Sequence, residues 1–574
     1  MKVLSYGPPF SIANHDAVTG YLSRRGHEVC AVAVEGPDGK TAFPLDTATD
    51  IINRFAPDWR PDLMICWCPE MAPPPLEMEN CPVRTAAIVS DWSVYYPHLK
   101  HNLCRYDVAL TDKLGSEVLQ FPGITPRFFE PIYTQQTSVH RPLGTDRDID
   151  IAFAGNLNHA VHVRRGKMLE RVATLADHRR VVIASGVPPH EYAALLNRSK
   201  IAFNHGLRHE MNLRCFESIA CGALLFIEED NRECPDWLRD REEAVYYNED
   251  TLLPLLEYYL DHPEECARVA AKGQSKAPAL AGENRWDDFI EAIMDLPVSG
   301  RPFSQQSERD RMLADAFQYA SSAHPEHEAF ARQRLEEALS MAPEYPENLM
   351  AMACFEVDTL SQQSEAQRRE QTARLLSRLQ QAAQIAPQET PVWLNLAFVC
   401  RHAGNSIAEA RFLELALETA SDTLGHLTLG ERRDPYTSRY REALAFGTAR
   451  PDTLRAFAAS RLAELRLAAG DTTASLDWAK KSIAWEPEVA TPYRTAARAL
   501  LAEGHGDKAL AIARQGIPFI ALDSDYRRTL FEAMRTAGEH EAARELARET
   551  MHIFSAWQGA DHVVRDFEEM LRHP

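Results

Sequence analysis

One run concentrates the polar chemistry of this chain: Asn204-His205-Gly206-Leu207-Arg208-His209-Glu210-Met211-Asn212-Leu213-Arg214-Cys215-Phe216-Glu217-Ser218-Ile219-Ala220-Cys221-Gly222. Its spacing predicts a helix that starts near Asn212 or Leu213 and closes at Gly222. Arg214 falls in the first turn, where the macrodipole favours acidic residues. A bound phosphate accounts for an arginine there, because the helix start offers free N–H groups and Arg214 offers charge. Glu217, three residues on, shares that face. A carboxylate so placed can accept hydrogen bonds from two adjacent ribose hydroxyls. The competing reading is a surface Arg214–Glu217 pair on an ordinary helix.

The elements around this run are short apolar strands alternating with helical stretches. Strands are predicted at Lys2–Tyr6, Glu28–Val34, Asp62–Cys66, Arg84–Val89 and Tyr106–Leu110, with a helix over 14–25. A second series follows at Asp150–Ala154, Arg180–Ala184, Lys200–Phe203 and Gly222–Ile227. Such alternation implies parallel sheets covered on both faces. Two Rossmann-like domains are expected, 1–140 and 146–298, joined by a linker that includes Pro131, Pro142 and Gly144. Ligands of such sheets lie beyond the carboxyl ends of the strands, here in the cleft between two domains. Gly155 and Asn156 follow the first strand of the second series, and Asn204 follows its third. Arg164, Arg165 and Lys167 come next after the Gly155-Asn156 loop, either to meet phosphate or as the exposed start of a helix. In the first domain, Asp91 follows the fourth strand and is a candidate general base, or else an N-cap. His15, after the first strand, competes for that role because imidazole titrates nearer neutrality. His98 and His101 are lesser candidates.

Neither Tyr6-Gly7-Pro8-Pro9-Phe10-Ser11 nor Ala154-Gly155-Asn156-Leu157-Asn158-His159 is a G-x-G-x-x-G turn, so a nicotinamide or flavin dinucleotide is not expected. No P-loop is present either. The one tidy D-x-D, Asp148-Ile149-Asp150, precedes a strand and is assigned to capping or solvation. Cys66-Trp67-Cys68 lacks zinc-ribbon spacing, so no metal site and no cofactor are expected.

From residue 305 to 574 the composition shifts to strong helix formers. Gly470, Gly504 and Gly538 recur every 34 residues, and Ser475, Ala509 and Ala543 follow each by five. That is a helical hairpin with a small residue at the helix contact, at the length of a tetratricopeptide repeat. An earlier unit runs from Pro387 through Trp393, Leu396 and Ala397 to Gly404. Residues 355–375 and 420–450 fit poorly and are expected to be insertions or decayed units. The fold class expected is therefore α/β plus all-α. Such solenoids bind a polypeptide or a second subunit.

The net charge of −21 argues against a broad nucleic-acid surface. No apolar stretch is long enough to span a membrane, and Met1-Lys2-Val3-Leu4 begins a buried strand, not a signal peptide. The 11 scattered cysteines suit reduced thiols in a cytoplasm.

The run Asn212 to Leu225, with Arg214-Cys215-Phe216-Glu217-Ser218-Ile219-Ala220-Cys221-Gly222 at its centre, resembles the donor-site motif of CgeB-like, spore-maturation-type glycosyltransferases. Glu243–Tyr247, Leu252–Leu260, Asp261–Glu265 and Gly155-Asn156 are also similar to that family. The resemblance implies a GT-B fold, related to group-one glycosyltransferases, over about 1–295. It also implies sugar transfer from a UDP-, GDP- or other nucleotide-diphosphate sugar, without a bound metal. By the same resemblance Glu217 would hold the ribose, Arg214 the diphosphate and Asn212 the sugar side, with Gly155 and Asn156 lining the diphosphate. The related class carries a second glutamate earlier; counting back here lands on His209, beside Glu210. The expected acceptor is a polypeptide Ser or Thr hydroxyl, such as that of a bacterial surface or appendage protein, recruited by the solenoid. The solenoid could instead build a homodimer, and the alternative to an enzyme is an inactive scaffold with a vestigial nucleotide-sugar site.

Overall fold

The computed structural model describes residues 1–7, 22–33, 42–55, 59–71, 73–93, 95–121, 123–128, 137–157, 163–280, 286–320, 324–359, 364–429, 435–519, 523–555 and 559–572. They build two parallel sheets and an array of helical hairpins, so the chain is α/β plus all-α.

The first sheet holds β1 (Lys2–Gly7), β2 (Glu28–Ala33), β3 (Leu63–Trp67), β4 (Arg84–Ile88), β5 (Val108–Thr111) and β6 (Arg127–Phe128), in the order β2-β1-β3-β4-β5-β6. Its helices include α1 (Ala48–Phe55), α2 (Tyr96–Asn102) and α3 (Lys113–Val118). The period of two sorts its side chains onto two cores. Val3, Leu63, Ile65, Ile88 and Leu110 face one side, and Leu4, Met64, Cys66 and Ala109 the other. The expected helix over 14–25 falls mostly outside the described residues.

The second sheet holds β7 (Ile149–Ala154), α4 (Val163–Ala173), β8 (Val181–Ala184), α5 (Pro189–Arg198), β9 (Ser199–Phe203), α6 (Leu213–Ala220), β10 (Leu224–Glu228) and β11 (Val245–Tyr247). It is followed by α7 (Leu252–Asp261) and α8 (Pro263–Leu280). Its order is β11-β10-β9-β7-β8, again wholly parallel. In both sheets the order reverses beside the first strand, between β1 and β3 and between β7 and β9. Those reversals are the switch points where such sheets open a crevice.

The helical hairpins match the expected period. Helix Pro451–Ala468 pairs with Thr472–Trp485, Thr491–Ala502 with Gly506–Gly516, and Ser524–Thr536 with His540–Ser555. Gly470, Gly504 and Gly538 sit in the turns at φ of +80°, +78° and +84°, a conformation that disfavours any side chain. Ser475, Ala509 and Ala543 are buried at the helix contacts.

Two compact units cut across the linear division 1–140, 146–298 and 305–574. The first comprises 1–136, 281–430 and 440–450; the second comprises 137–280, 431–439 and 451–574. Within the first, α9 (Trp286–Asp295) places Ile290 and Ile293 on the first sheet's core. Arg301 then binds the Cys81 carbonyl at 2.6 Å and Asp107 at 3.0 Å. So residues 286–301 belong to the first sheet, although sequence continuity puts them with the second. The first stretch of hairpins follows on the same core, with Phe303 and Ala314 beside Leu99 and Leu103. Of segments 355–375 and 420–450, Ala445 joins that core, while Leu375 and Leu427 are buried in a second cluster among the hairpins.

Within the second unit, one core runs from Phe153, Phe203 and Phe226 to Leu530, Phe531, Phe554 and Phe567 of the hairpins. Each such side chain is worth about 1.5–3 kcal/mol on burial. Arg527 reinforces the seam, with Nε donating to Glu170 of α4 at 2.8 Å while both side chains are almost wholly enclosed. The helical array is therefore part of the folding unit.

Candidate functional site

Gly155 follows β7 and Asn204 follows β9, so the second sheet's switch point brings two candidates together. Arg214 completes the group. Its helix α6 starts at Leu213 with Asn212 as N-cap and no acidic residue in the first turn, and Gly222 closes it at φ +75°. The Arg214 guanidinium folds back over the sheet end. Nη1 donates to Asn204 Oδ1 at 2.7 Å, and Nη2 donates to the Ala154 carbonyl at 2.9 Å. Its centre lies 4.4 Å from the Phe153 ring. A Cβ on Gly155 would stand 2.3 Å from Nη2, so the close approach depends on glycine. Asn212, Leu213, Arg214 and Glu217 stay half-buried, whereas Cys215, Phe216 and Ser218 are enclosed.

Glu217 is not a surface partner of Arg214. Its side chain retains only 15% exposure, with the His140 ring 3.7 Å away. The Tyr192 hydroxyl of α5 donates to it. Burial pushes its carboxyl up to about 7, against the pull of Arg214 and Tyr192. A carboxylate desolvated yet reachable can gain from two incoming hydroxyl donors more than an exposed one would.

Of the cations after the Gly155-Asn156 loop, the structure separates three fates. Arg164 is exposed and leans on Asp230 at 3.6 Å and on His209 at 3.3 Å. Lys167 pairs with Glu249 at 2.7 Å. Arg165 is buried instead. Its Nε donates to the His205 carbonyl at 2.9 Å and its Nη1 to the Asn156 carbonyl at 3.3 Å. Burial, with Arg214 close by, lowers its guanidinium to about 10. Arg165, not Arg164, is thus the buried cation whose charge is felt alongside that of Arg214. Asn156 itself is exposed.

The loop between β9 and α6 is held by acids. Glu210 is buried and accepts from the Leu207 N–H at 2.9 Å, with Arg208 beside it. It therefore caps its own loop and does not offer a free carboxylate. His209 adopts φ +63° and contacts Asp230 at 2.9 Å. Glu228, at the end of β10, accepts from the Gly206 N–H and from Asn231, both at 2.9 Å, and burial pushes it up to about 7.

In the first sheet, Asp91 lies past the carboxyl end of β4, half-buried. It does not cap α2, whose N-cap is Tyr95. A buried acid absent from the sequence candidates organises this loop. Glu70 Oε1 accepts from the Ser90 N–H at 2.8 Å, the Ser90 hydroxyl at 3.0 Å and the Asp91 N–H at 3.1 Å. Burial pushes Glu70 up to about 7. Nothing in its local sequence marks it. His15 lies outside the described residues.

Asp148 and Asp150 are consumed by ion pairs at the start of β7. Asp148 holds Arg198 at 2.6 Å, and Asp150 holds Lys200 at 2.6 Å. All 11 cysteines are unpaired as disulfides. Among the described residues no helix is long and apolar enough to cross a membrane.

Residues 140–295 match a family model described as glycosyl transferase-like. No curated protein matches the sequence. Among solved structures, the T4 phage β-glucosyltransferase is similar at 13% identity and a TM-score of 0.37, covering 52% of this chain and 100% of that one. A sucrose-phosphate synthase from Thermosynechococcus elongatus is similar at 10% identity and a TM-score of 0.36, covering 51% of this chain and 98% of that one. The Pseudomonas aeruginosa protein pilF is similar at 12% identity and a TM-score of 0.32, covering 46% of this chain and 97% of that one.

Proposed function

We propose that the protein is a nucleotide-sugar-dependent glycosyltransferase of the GT-B, CgeB-like type. One observation carries this reading. Arg214, Asn204 and Gly155 converge at the switch point of the second sheet, with Glu217 on the same half-buried helix face. A diphosphate there would meet the α6 start and the Arg214 charge, and Glu217 would take the ribose hydroxyls. The glycosyl transferase-like match over 140–295 spans every one of these residues.

In the proposed reaction an acceptor oxygen bonds to the anomeric carbon of the donor. The bond from that carbon to the diphosphate breaks, and the diphosphate leaves with both electrons. Arg214 stabilises the growing negative charge, and Asp91 or His15 takes the acceptor proton. No divalent metal is assigned to this step, since Arg214 and the helix start supply the charge.

The acceptor proposed is a polypeptide hydroxyl delivered by the helical array, which raises its local concentration. Because each stretch of hairpins shares a core with a sheet, removing them would unfold what remains. Point substitutions on exposed hairpin residues are the right probe. Turnover of radiolabelled donor into protein, measured beside donor hydrolysis, separates recruitment from chemistry. Loss of transfer with hydrolysis intact supports recruitment. Unchanged transfer across the whole exposed surface contradicts it.

A further inference from the structure

Away from this site, three side chains in the first compact unit meet with no role in the proposed reaction. His101 comes from α2, Glu347 from helix Pro346–Thr359, and His426 from the 3-10 turn Gly425–Leu427. One ligand atom of each lies within 4.8 Å of the other two. We propose that they bind one divalent transition ion of the zinc class, which fastens the first sheet's helix to the helical array.

The donor set suits that ion. Two imidazoles and a carboxylate are borderline ligands that zinc takes readily, and three protein ligands leave the fourth position for water. The Nε2 atoms of His101 and His426 are both enclosed and make no hydrogen bond. Buried polar nitrogens without a hydrogen bond are costly, and one ion shared by both rings and the Glu347 carboxylate removes that cost. His426 Nε2 stands 3.3 Å from Glu347 Oε1, at ion-pair distance but without hydrogen-bond alignment. Ligand atoms on a tetrahedral zinc, with bonds of about 2 Å, are about 3.3 Å apart, so two of the three already fit. The third needs a shift of His101 of about 1.5 Å at most, within the reach of a side-chain rotation.

The surroundings fix the ligands as an outer shell does in metal sites. The other Glu347 oxygen faces Arg309 at 3.8 Å. The His101 ring stacks on Phe317 at 5.1 Å with a 12° tilt. The turn bearing His426 is pinned by Asn395, which donates to the Leu427 carbonyl at 2.9 Å and accepts from the Leu429 N–H at 2.6 Å. Gly425 packs against the Tyr440 ring. A bare ion pair would need none of this on the His101 side.

The test uses the full chain without a histidine tag, stripped with EDTA and then freed of it. Zn²⁺ is titrated against a chromophoric chelator, and Co²⁺ serves as a spectroscopic stand-in. The proposal expects one tight Zn²⁺ per chain and intense visible Co²⁺ bands of tetrahedral coordination. It also expects a higher melting temperature with Zn²⁺ than without. In His101→Asn/His426→Asn the affinity should fall by more than about 100-fold, since losing outer-shell partners alone costs up to about that much and this variant removes two ligands. If that variant does not fold, the wild-type Co²⁺ spectrum decides alone. No stoichiometric binding, octahedral Co²⁺ bands, or equal binding by the double variant would overturn the proposal. The readouts are independent of sugar transfer, so neither outcome bears on the donor site.

Discussion

The two sheets share a strand order and a parallel sense, yet different side chains gather at their carboxyl ends. The second carries two guanidinium groups, buried Arg165 and half-buried Arg214, laid over Phe153 and tied to backbone carbonyls. The first ends in acids: Glu70 beneath Asp91, and Asp112 accepting from the Trp92 indole at 2.8 Å. In the proposed reaction the guanidinium groups meet the anion and Asp91 or His15 takes the proton. The same topology carries two different sets of side chains, and the residues after each strand set the difference.

The largest effect expected tests the acidic end. Asp91→Asn should lower turnover about 10²–10⁴-fold, the usual worth of a general base, while nucleotide affinity is unchanged. His15→Asn run in parallel assigns the base: whichever variant loses turnover and the acidic limb of the pH profile, where a base is silenced by protonation, identifies it. If neither does, the first sheet does not supply the proton acceptor.

Next comes the seam that makes the second sheet and its hairpins one body. Arg527→Ala leaves Glu170 buried and unpaired, and should cost about 3–5 kcal/mol in chemical denaturation. The exposed pair Arg369–Glu365 is the contrast. Its loss should change stability by about 0–1 kcal/mol. Equal losses from the two would contradict the shared core.

At the cationic end, Gly155→Ala pushes a methyl group into the Arg214 guanidinium. Nucleoside diphosphate affinity should fall by about 1–3 kcal/mol, the range of a charge-assisted hydrogen bond, as calorimetry would read it. The melting temperature should move little by comparison, because the guanidinium can swing aside.

The smallest effect is a pH signature. Burial raises Glu217 from the ordinary glutamate value of 4.5 to about 7. The folded chain therefore holds an extra proton between those values, and the stability linked to it falls as pH rises through that window. Glu217→Gln lacks this loss. Its melting temperature should match wild type near pH 4.5 and exceed it at pH 8, by an amount on the order of 1–3 kcal/mol in stability. A gap that shrinks with rising pH would contradict the buried-acid reading.

Much of this was legible in the sequence because parallel strands buried on both faces spell apolar runs, as in Leu224–Glu228 and Leu63–Trp67. The hairpin turns were legible because only glycine sits cheaply at their φ. The α6 start was legible from Asn212 and Arg214. What stayed hidden depends on contacts between distant segments. Nothing local tells that residues 286–301 return to the first sheet, or that Glu170 meets Arg527. Arg164 and Arg165 differ by one residue, about 100° of helix, and only packing decides which turns inward. Glu70 and Tyr192 carry no motif; each matters through what folding places beside it.

The switch point of the second sheet is the proposed nucleotide-diphosphate site. Its most direct test is calorimetric titration of UDP, GDP, ADP, CDP and dTDP into the wild-type chain and into Arg214→Ala. The result expected is saturable one-to-one binding of at least one of the five, lost in Arg214→Ala with the fold retained by circular dichroism. Binding of none, or binding by the variant as tight as by wild type, would contradict the central claim.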